Sequence, residues 1–153
     1  MTADSPLYEL DISPDGRYLA GGDDHDARVW DLATGAQVLL LPHATGVNGV
    51  AFSADGKYLA TAAKDGVARV WLVSTGEQVA GMAHDKSLNG LGFSPDGSYL
   101  ATASADHAVR LWTPLLADPI GAACAHVIAN LTLAEWQQYL PGEAYHVTCR
   151  GLP

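Results

Sequence analysis

The sequence predicts an all-β chain assembled from three copies of one antiparallel unit, with a short helical tail behind them. Three observations carry that expectation. Trp30, Trp71 and Trp112 stand 41 residues apart, and Asp15, Asp55 and Asp96 keep nearly the same beat; a fixed period of this length marks stacked supersecondary units. Within each period apolar residues alternate with small or polar ones, the period-two signature of strands. The strands are punctuated by Ser13-Pro14-Asp15-Gly16, Ser53-Ala54-Asp55-Gly56 and Ser94-Pro95-Asp96-Gly97. Pro presets φ and Gly accepts positive φ, so each reads as a hairpin turn.

Taken in order, each unit opens with a strand, "LYELDIS", "GVNGVAFS" or "SLNGLGFS", that runs into its Ser-x-Asp-Gly turn. An apolar strand such as "YLATAS" follows, then a second such as "AVRLW". Behind the Trp, "DLATGAQVLLL" and "LVSTGEQVAGM" each give a Thr-Gly turn and a fourth strand, which the third copy lacks. Four short strands per ~40 to 45 residues is the blade spacing of a β-propeller, whose sheets radiate around a channel. The expected architecture over residues 1–113 is therefore a partial β-propeller of three blades, about 7–41, 47–82 and 88–112, the last without its outer strand. The first copy is one residue short. Counting back from each Trp aligns Asp24, Asp65 and Asp106 and puts the deletion inside the strand "LAGGDD" rather than in the turn after it.

Residues 114–153 change character. Pro119 opens one expected helix that runs to about Ala129. Thr132 caps a second, Glu135 closes a capping box with it, and Leu131 and Trp136 are spaced as a hydrophobic staple. Pro141-Gly142 ends that helix. A helix pair this short does not fold alone, so the tail is expected to dock on the last blade. Cys124 and Cys149 read as a packed thiol pair or a disulfide tying the tail together. With His126 and His146 they also offer four zinc-type ligands, though neither spacing matches a finger pattern.

Composition excludes several classes. The 153 residues are 48% hydrophobic, carry a formal charge of −9 with pI near 4.8, and include only eight Lys and Arg. Nucleic acid and anionic membrane surfaces are bound mainly through basic residues, so neither is an expected partner. No apolar run approaches the ~20 residues of a spanning helix. Met1-Thr2-Ala3-Asp4 lacks the basic, then apolar, opening of a signal peptide, and the cytoplasm is the expected location. No cofactor or metal is expected. The lone Gly-Lys pair in "DGKY" lacks the neighbours of a phosphate loop, and His-Glu-x-x-His and Gly-x-Ser-x-Gly are absent.

The units resemble WD repeats of the WD40 family over about residues 7 to 112, and Val29-Trp30-Asp31 carries the name-giving dipeptide. The other copies read Val70-Trp71-Leu72 and Leu111-Trp112-Thr113, without the Asp. The resemblance implies a polar chain inside each blade, from a His ahead of the inner strand to a Ser or Thr, a turn Asp and the Trp ring nitrogen. His84, Thr102 or Ser104, Asp106 and Trp112 match it, as do His43, Thr61, Asp65 and Trp71; the first copy keeps Asp24 and Trp30 but has neither the His nor the hydroxyl. His, hydroxyl and carboxylate are also triad components. Their recurrence with the period favours a structural network, since a catalytic centre is not repeated and buried polar groups need partners.

The tail line "NLTLAEWQQYLPGEAYHVTC" is similar to the end of bacterial WD-repeat proteins attached to STAND-type ATPases or kinases. The resemblance implies a non-catalytic interaction scaffold or sensor at the C-terminal end of a larger bacterial signalling protein. The competing class is the propeller of a hydrolase or of a periplasmic transport protein. An interaction module would meet a protein partner through the loops that vary between copies: "GGDDHDA", "LPHATGV", "AAKDGVA" and "MAHDKSL". Three blades leave two open flanks and an unpaired edge after Trp112, so self-association to complete a ring is also expected.

Overall fold

A computed structural model describes residues 5–113. The expected helices of the tail and the Cys124 and Cys149 pair lie outside the described residues, as do His126 and His146. The described residues form three antiparallel sheets. The first runs β1 (Glu9–Ile12), β2 (Tyr18–Gly22), β3 (Asp26–Asp31), β4 (Gln37–Pro42). The second is β5 (Val47–Phe52), β6 (Tyr58–Ala63), β7 (Val67–Leu72), β8 (Gln78–Ala83). The third holds β9 (Leu88–Phe93), β10 (Leu100–Ser104) and β11 (Val109–Trp112). Each strand pairs with its neighbour in sequence, so every sheet is a meander.

The Ser-x-Asp-Gly turns explain their own sequence. In the first, Ser13 Oγ donates to Asp15 Oδ1 at 2.6 Å and accepts the Tyr18 amide at 2.8 Å, while Asp15 accepts the Arg17 amide at 3.0 Å. Ser53 and Asp55, then Ser94 and Asp96, repeat these bonds. Gly16, Gly56 and Gly97 take φ of 70°, 69° and 73°, a region an L side chain resists. Asp31 performs a related task after β3: its Oδ1 accepts the Ala33 and Thr34 amides and the Thr34 hydroxyl. Leu72 stands there in the second sheet and makes none of these bonds.

Each sheet is apolar on both faces, and the faces differ in size. The front, which bears the Trp, carries Val50, Phe52, Leu59 and Trp71 in the second sheet; these pack on Ala20, Ala27, Val29 and Leu41 of the first. The back of the second sheet offers Ala60, Ala62, Ala68, Val70 and Met82 to Leu88, Leu91, Phe93, Leu100 and Trp112 of the third. Large front side chains thus meet a floor of small back ones, and the "LATAA" strand supplies both faces by alternation. Where the sheets come closest a side chain has no room: a Cβ at Gly22 would lie 2.6 Å from the Val47 carbonyl oxygen.

Polar groups of the inner strands join neighbouring sheets. Asp11 Oδ2 accepts the Phe52 amide at 2.7 Å, and Glu9 reaches Gly49 and accepts from the Val50 backbone. Burial raises the Glu9 carboxyl pKa, against the pull of the Val50 amide. At the next junction the link is reversed in kind: Asn48 Nδ2 donates to the Leu88 carbonyl at 2.7 Å.

The missing residue of the first copy is taken from the end of a strand, as the count from each Trp predicts: β2 has five residues where β6 has six, and the connections that follow, 23–25 and 64–66, have three each. The paired stretch itself is untouched, since Tyr18 to Gly22 pairs with Ala27 to Asp31 as Tyr58 to Ala62 pairs with Ala68 to Leu72. Register explains why only the end is trimmed, because a residue lost from within the paired stretch would turn every later side chain to the opposite face.

Replacing Asp11 by Ala leaves the Phe52 amide without its acceptor at a closed junction. Urea unfolding is expected to show a loss of about 1 to 3 kcal/mol, and an unchanged midpoint would remove Asp11 from the junction's accounting.

Candidate functional site

The His, hydroxyl and Trp residues singled out in the sequence meet at the front of the second and third sheets. In the third, Trp112 Nε1 donates to Thr102 Oγ1 at 2.8 Å, Thr102 lies 2.7 Å from His84 Nε2, and His84 Nδ1 lies 3.0 Å from Asp106 Oδ2. The carboxylate only accepts, so Nδ1 carries hydrogen; in the neutral ring Nε2 then accepts the Thr102 hydroxyl, which itself accepts the indole. Burial works against the charged Asp106, yet the Ala108 amide, the His84 ring and the Asp85 amide hold its carboxyl well below the usual range. Ser104 is not the hydroxyl of this chain. It caps the following turn, accepting the Asp106 amide and donating to the carbonyls of Lys86 and Ser87.

The second sheet departs from that pattern. Trp71 Nε1 donates to Thr61 at 3.0 Å and Thr61 lies 2.9 Å from His43 Nε2, but His43 Nδ1 donates to the Leu41 carbonyl at 2.9 Å rather than to Asp65. Asp65 instead binds Arg69 at 2.7 Å and the Val67 amide. Burial lowers the His43 pKa, with the Leu41 carbonyl and, more weakly, the Asp65 and Asp26 charges opposing it.

The first sheet replaces the motif. Gly21 holds the place of Thr61 and Thr102, and a Cβ there would lie 3.2 Å from the Trp30 ring. Asp24, aligned with the turn carboxylates by counting, accepts from Tyr8 at 2.5 Å and Lys64 at 3.3 Å. Asp23 performs the turn role, accepting the His25 and Asp26 amides and Arg28 Nε at 3.0 Å. With one residue fewer between the paired Gly22 and Ala27 than between Ala62 and Ala68, the carboxylate that faces inward is the first Asp and not the second.

These clusters are closed to substrate. Thr61 and Thr102 are 0% and 1% exposed and the His84 side chain 0%. A nucleophile must reach an acyl or phosphoryl group, whereas each Thr hydroxyl here is engaged by an indole and an imidazole. Among the described residues no group of three or more His, Cys, Asp or Glu side chains is placed to hold a metal.

Exposed chemistry lies instead at the sheet ends. The β2–β3, β4–β5, β6–β7 and β8–β9 connections gather at one end, where the Val47 amide donates to Asp23, the Lys64 amide to Gly46 and the His84 amide to Gly66. Lys64 Nζ lies 4.9 Å from the centre of the Tyr8 ring as well as near Asp24, so turns of neighbouring sheets form one surface. His25, Asp85, Lys86 and His107 stand exposed on it.

The sequence model of the WD domain, G-beta repeat, matches residues 2–31, 35–71 and 76–113. The chain belongs to the WD-repeat family. The middle and last of these repeats are offset from the sheets: residues 35–71 span β4, the outer strand of one sheet, and β5 to β7 of the next. Among curated proteins the chain is similar to the Target of rapamycin complex subunit wat1 of Schizosaccharomyces pombe, with 40% identity over 67 residues. That match covers 42% of this WD-repeat chain and only 21% of the subunit.

Asp106→Ala is expected to lower the urea midpoint more than Asp24→Ala, since Asp106 is enclosed by four partners and Asp24 sits in an exposed ion pair. Equal losses would dissolve the distinction between the two carboxylates.

His43 sets a pH response. Its folded pKa lies below the unfolded value near 6.5, so the unfolded chain takes up a proton first and stability falls as pH drops below about 6.5. Thermal melts of His43→Gln should show a shallower decline between about pH 6.5 and 5 than the native chain.

Proposed function

We propose that the chain is a non-catalytic protein-interaction scaffold or sensor segment that meets a protein partner through the connected turns at one end of its sheets. The observation that carries this reading is the division between constant frame and variable ends. The Ser-x-Asp-Gly turns at the opposite end repeat one hydrogen-bond pattern three times, whereas "GGDDHDA", "AAKDGVA" and "ADHAV" put different charges on a common surface. Recognition chemistry concentrates in loops that a rigid scaffold positions.

WD-repeat membership supports a scaffold, and the similar wat1 protein is by its name a subunit of a complex. Burial of the Thr and His hydroxyl-imidazole pairs supports the absence of catalysis. Attachment to a bacterial signalling effector rests on the tail line, and it belongs to the proposal together with a cytoplasmic location. Association with further copies, which the three-blade count predicts, belongs to it as well.

The test compares two immobilised variants for protein capture from one lysate. Substituting His25, Lys64 and Lys86 by Ala alters the proposed surface, while substituting Lys57, Glu77 and Ser98 alters the opposite end. The first is expected to lose captured proteins that the native chain and the second retain. Equal capture by both variants would refute the assignment.

A further inference from the structure

Each sheet junction in the chain has the same two halves, and the chain ends its described stack with one unused half on either side. The front residues occupy matched positions: Leu7, Leu10, Ile12, Leu19 and Trp30 in the first sheet correspond to Leu88, Leu91, Phe93, Leu100 and Trp112 in the third. In the third sheet this face is seated on the second, and Leu88 and Leu100 are fully buried. In the first, Trp30 is only 2% exposed, with Leu7 and Leu10 beside it, while Leu7, Leu10 and Ile12 are themselves 39%, 54% and 55% exposed and form the open part of the face.

The back of the third sheet is the other half. Gly90, Gly92, Ala101, Ala103, Val109 and Leu111 stand where the second sheet has Gly49, Ala51, Ala60, Ala62, Ala68 and Val70. The second sheet's set receives a front face; in the third, Val109 and Leu111 are 72% and 68% exposed. Gly90, Gly92, Ala101, Ala103 and Val109 line a shallow depression of about 190 Å³, of the kind that bulky front side chains fill at the internal junctions.

We propose that the chain associates head to tail with a second copy of itself, the front of one first sheet seated on the back of the other third sheet. The junction between the second and third sheets states what such a face accepts, and the chain itself carries that complement. A polar group agrees. Asn48 crosses the internal junction to the Leu88 carbonyl, and Asn89, at the same position one sheet on, is exposed and directed by the same register toward the carbonyl of Leu7 in the second copy. Nor would the new junction meet an obstructing carboxylate: Glu9 and Asp11 point from the back of the first sheet toward the second, and their counterparts on the third are Gly90 and Gly92. The contact is heterologous, so it closes into a ring or continues as a filament. Two stacks of the three described sheets make six, within the range of about four to eight in which propellers close.

The inference rests on the reading of the chain as an interaction module and names one partner for it. Its test reads mass, not capture, so either can fail without the other. Light scattering of the purified full chain over a roughly hundredfold range of concentration should show reversible conversion of monomer to dimer. Val109→Asp with Leu111→Asp removes the back half, and Leu10→Asp with Ile12→Asp removes the front half; all four sites are exposed, and circular dichroism verifies that the variants stay folded. Each variant alone is expected to be monomeric. Mixed in equal amounts they retain one intact front and one intact back and should form a one-to-one complex, which Asn89→Ala in the front-half variant weakens several-fold. A native chain that is monomeric throughout, as it would be if its own tail covered a flank, overturns the proposal. So does a single variant that still associates, or a mixture that stays apart.

Discussion

A sheet with apolar side chains on both faces is kept from water only by cover on either side, and between the described sheets of this chain that cover is another sheet. Burial of such area contributes about 25 cal/mol per Å², which favours stacking over any isolated hairpin. The stacking in turn fixes which residues each position tolerates. A back made largely of small residues brings the sheets close enough for Trp71 and Trp112 to lie between them, and that closeness is what leaves Thr61, Thr102 and His84 buried. Their mutual hydrogen bonds are therefore a consequence of packing before they are anything else.

The same requirement accounts for how differently three similar blades solve it. Where Thr and His remain, the indole is satisfied by a hydroxyl within the sheet. Where Gly21 replaces the hydroxyl, Leu7 and Leu10 converge on the space beside Trp30 instead, an apolar solution at the blade whose front meets no other described sheet. At the junction behind it Glu9 and Asp11 reach across to backbone amides, whereas the next junction relies on Asn48. Each junction is individually tailored, although the frame is common.

Much of this was legible in the sequence because the period of two and the Trp spacing report burial directly. The strands and turns of the described residues could be read from alternation, from Ser-x-Asp-Gly and from the Thr-Gly turns. The deletion was legible as well, since β2 is one residue shorter than β6 while the turns after them are equal. Asp23 was missed, because counting back from Trp30 aligns Asp24, and not Asp23, with the turn carboxylates of the other copies. The crossing carboxylates had a signal that went unused: Glu9 and Asp11 stand where the other copies have Gly or Ala, and a departure of that kind within a repeat marks a local task. Nothing in the sequence distinguishes His43 from His84. Both blades carry the His, Thr, Asp and a following Arg, and the difference lies in whether that Arg turns to the carboxylate, as Arg69 does, or also to the Ala83 carbonyl, as Arg110 does.

The meander topology has a bearing on how the molecule is made. Every hydrogen-bonded strand pair joins consecutive strands, so the ladder of one sheet can be finished with nothing but its own stretch of chain, Glu9 to Pro42 for the first. Distant parts of the sequence need to find one another only when whole sheets meet. A chain leaving the ribosome can thus complete its blades in order, each new front arriving at a back that already exists. Apart from the front of the first sheet, the hazard during synthesis falls on the most recent back, an apolar face that waits for about one repeat of translation before its cover appears.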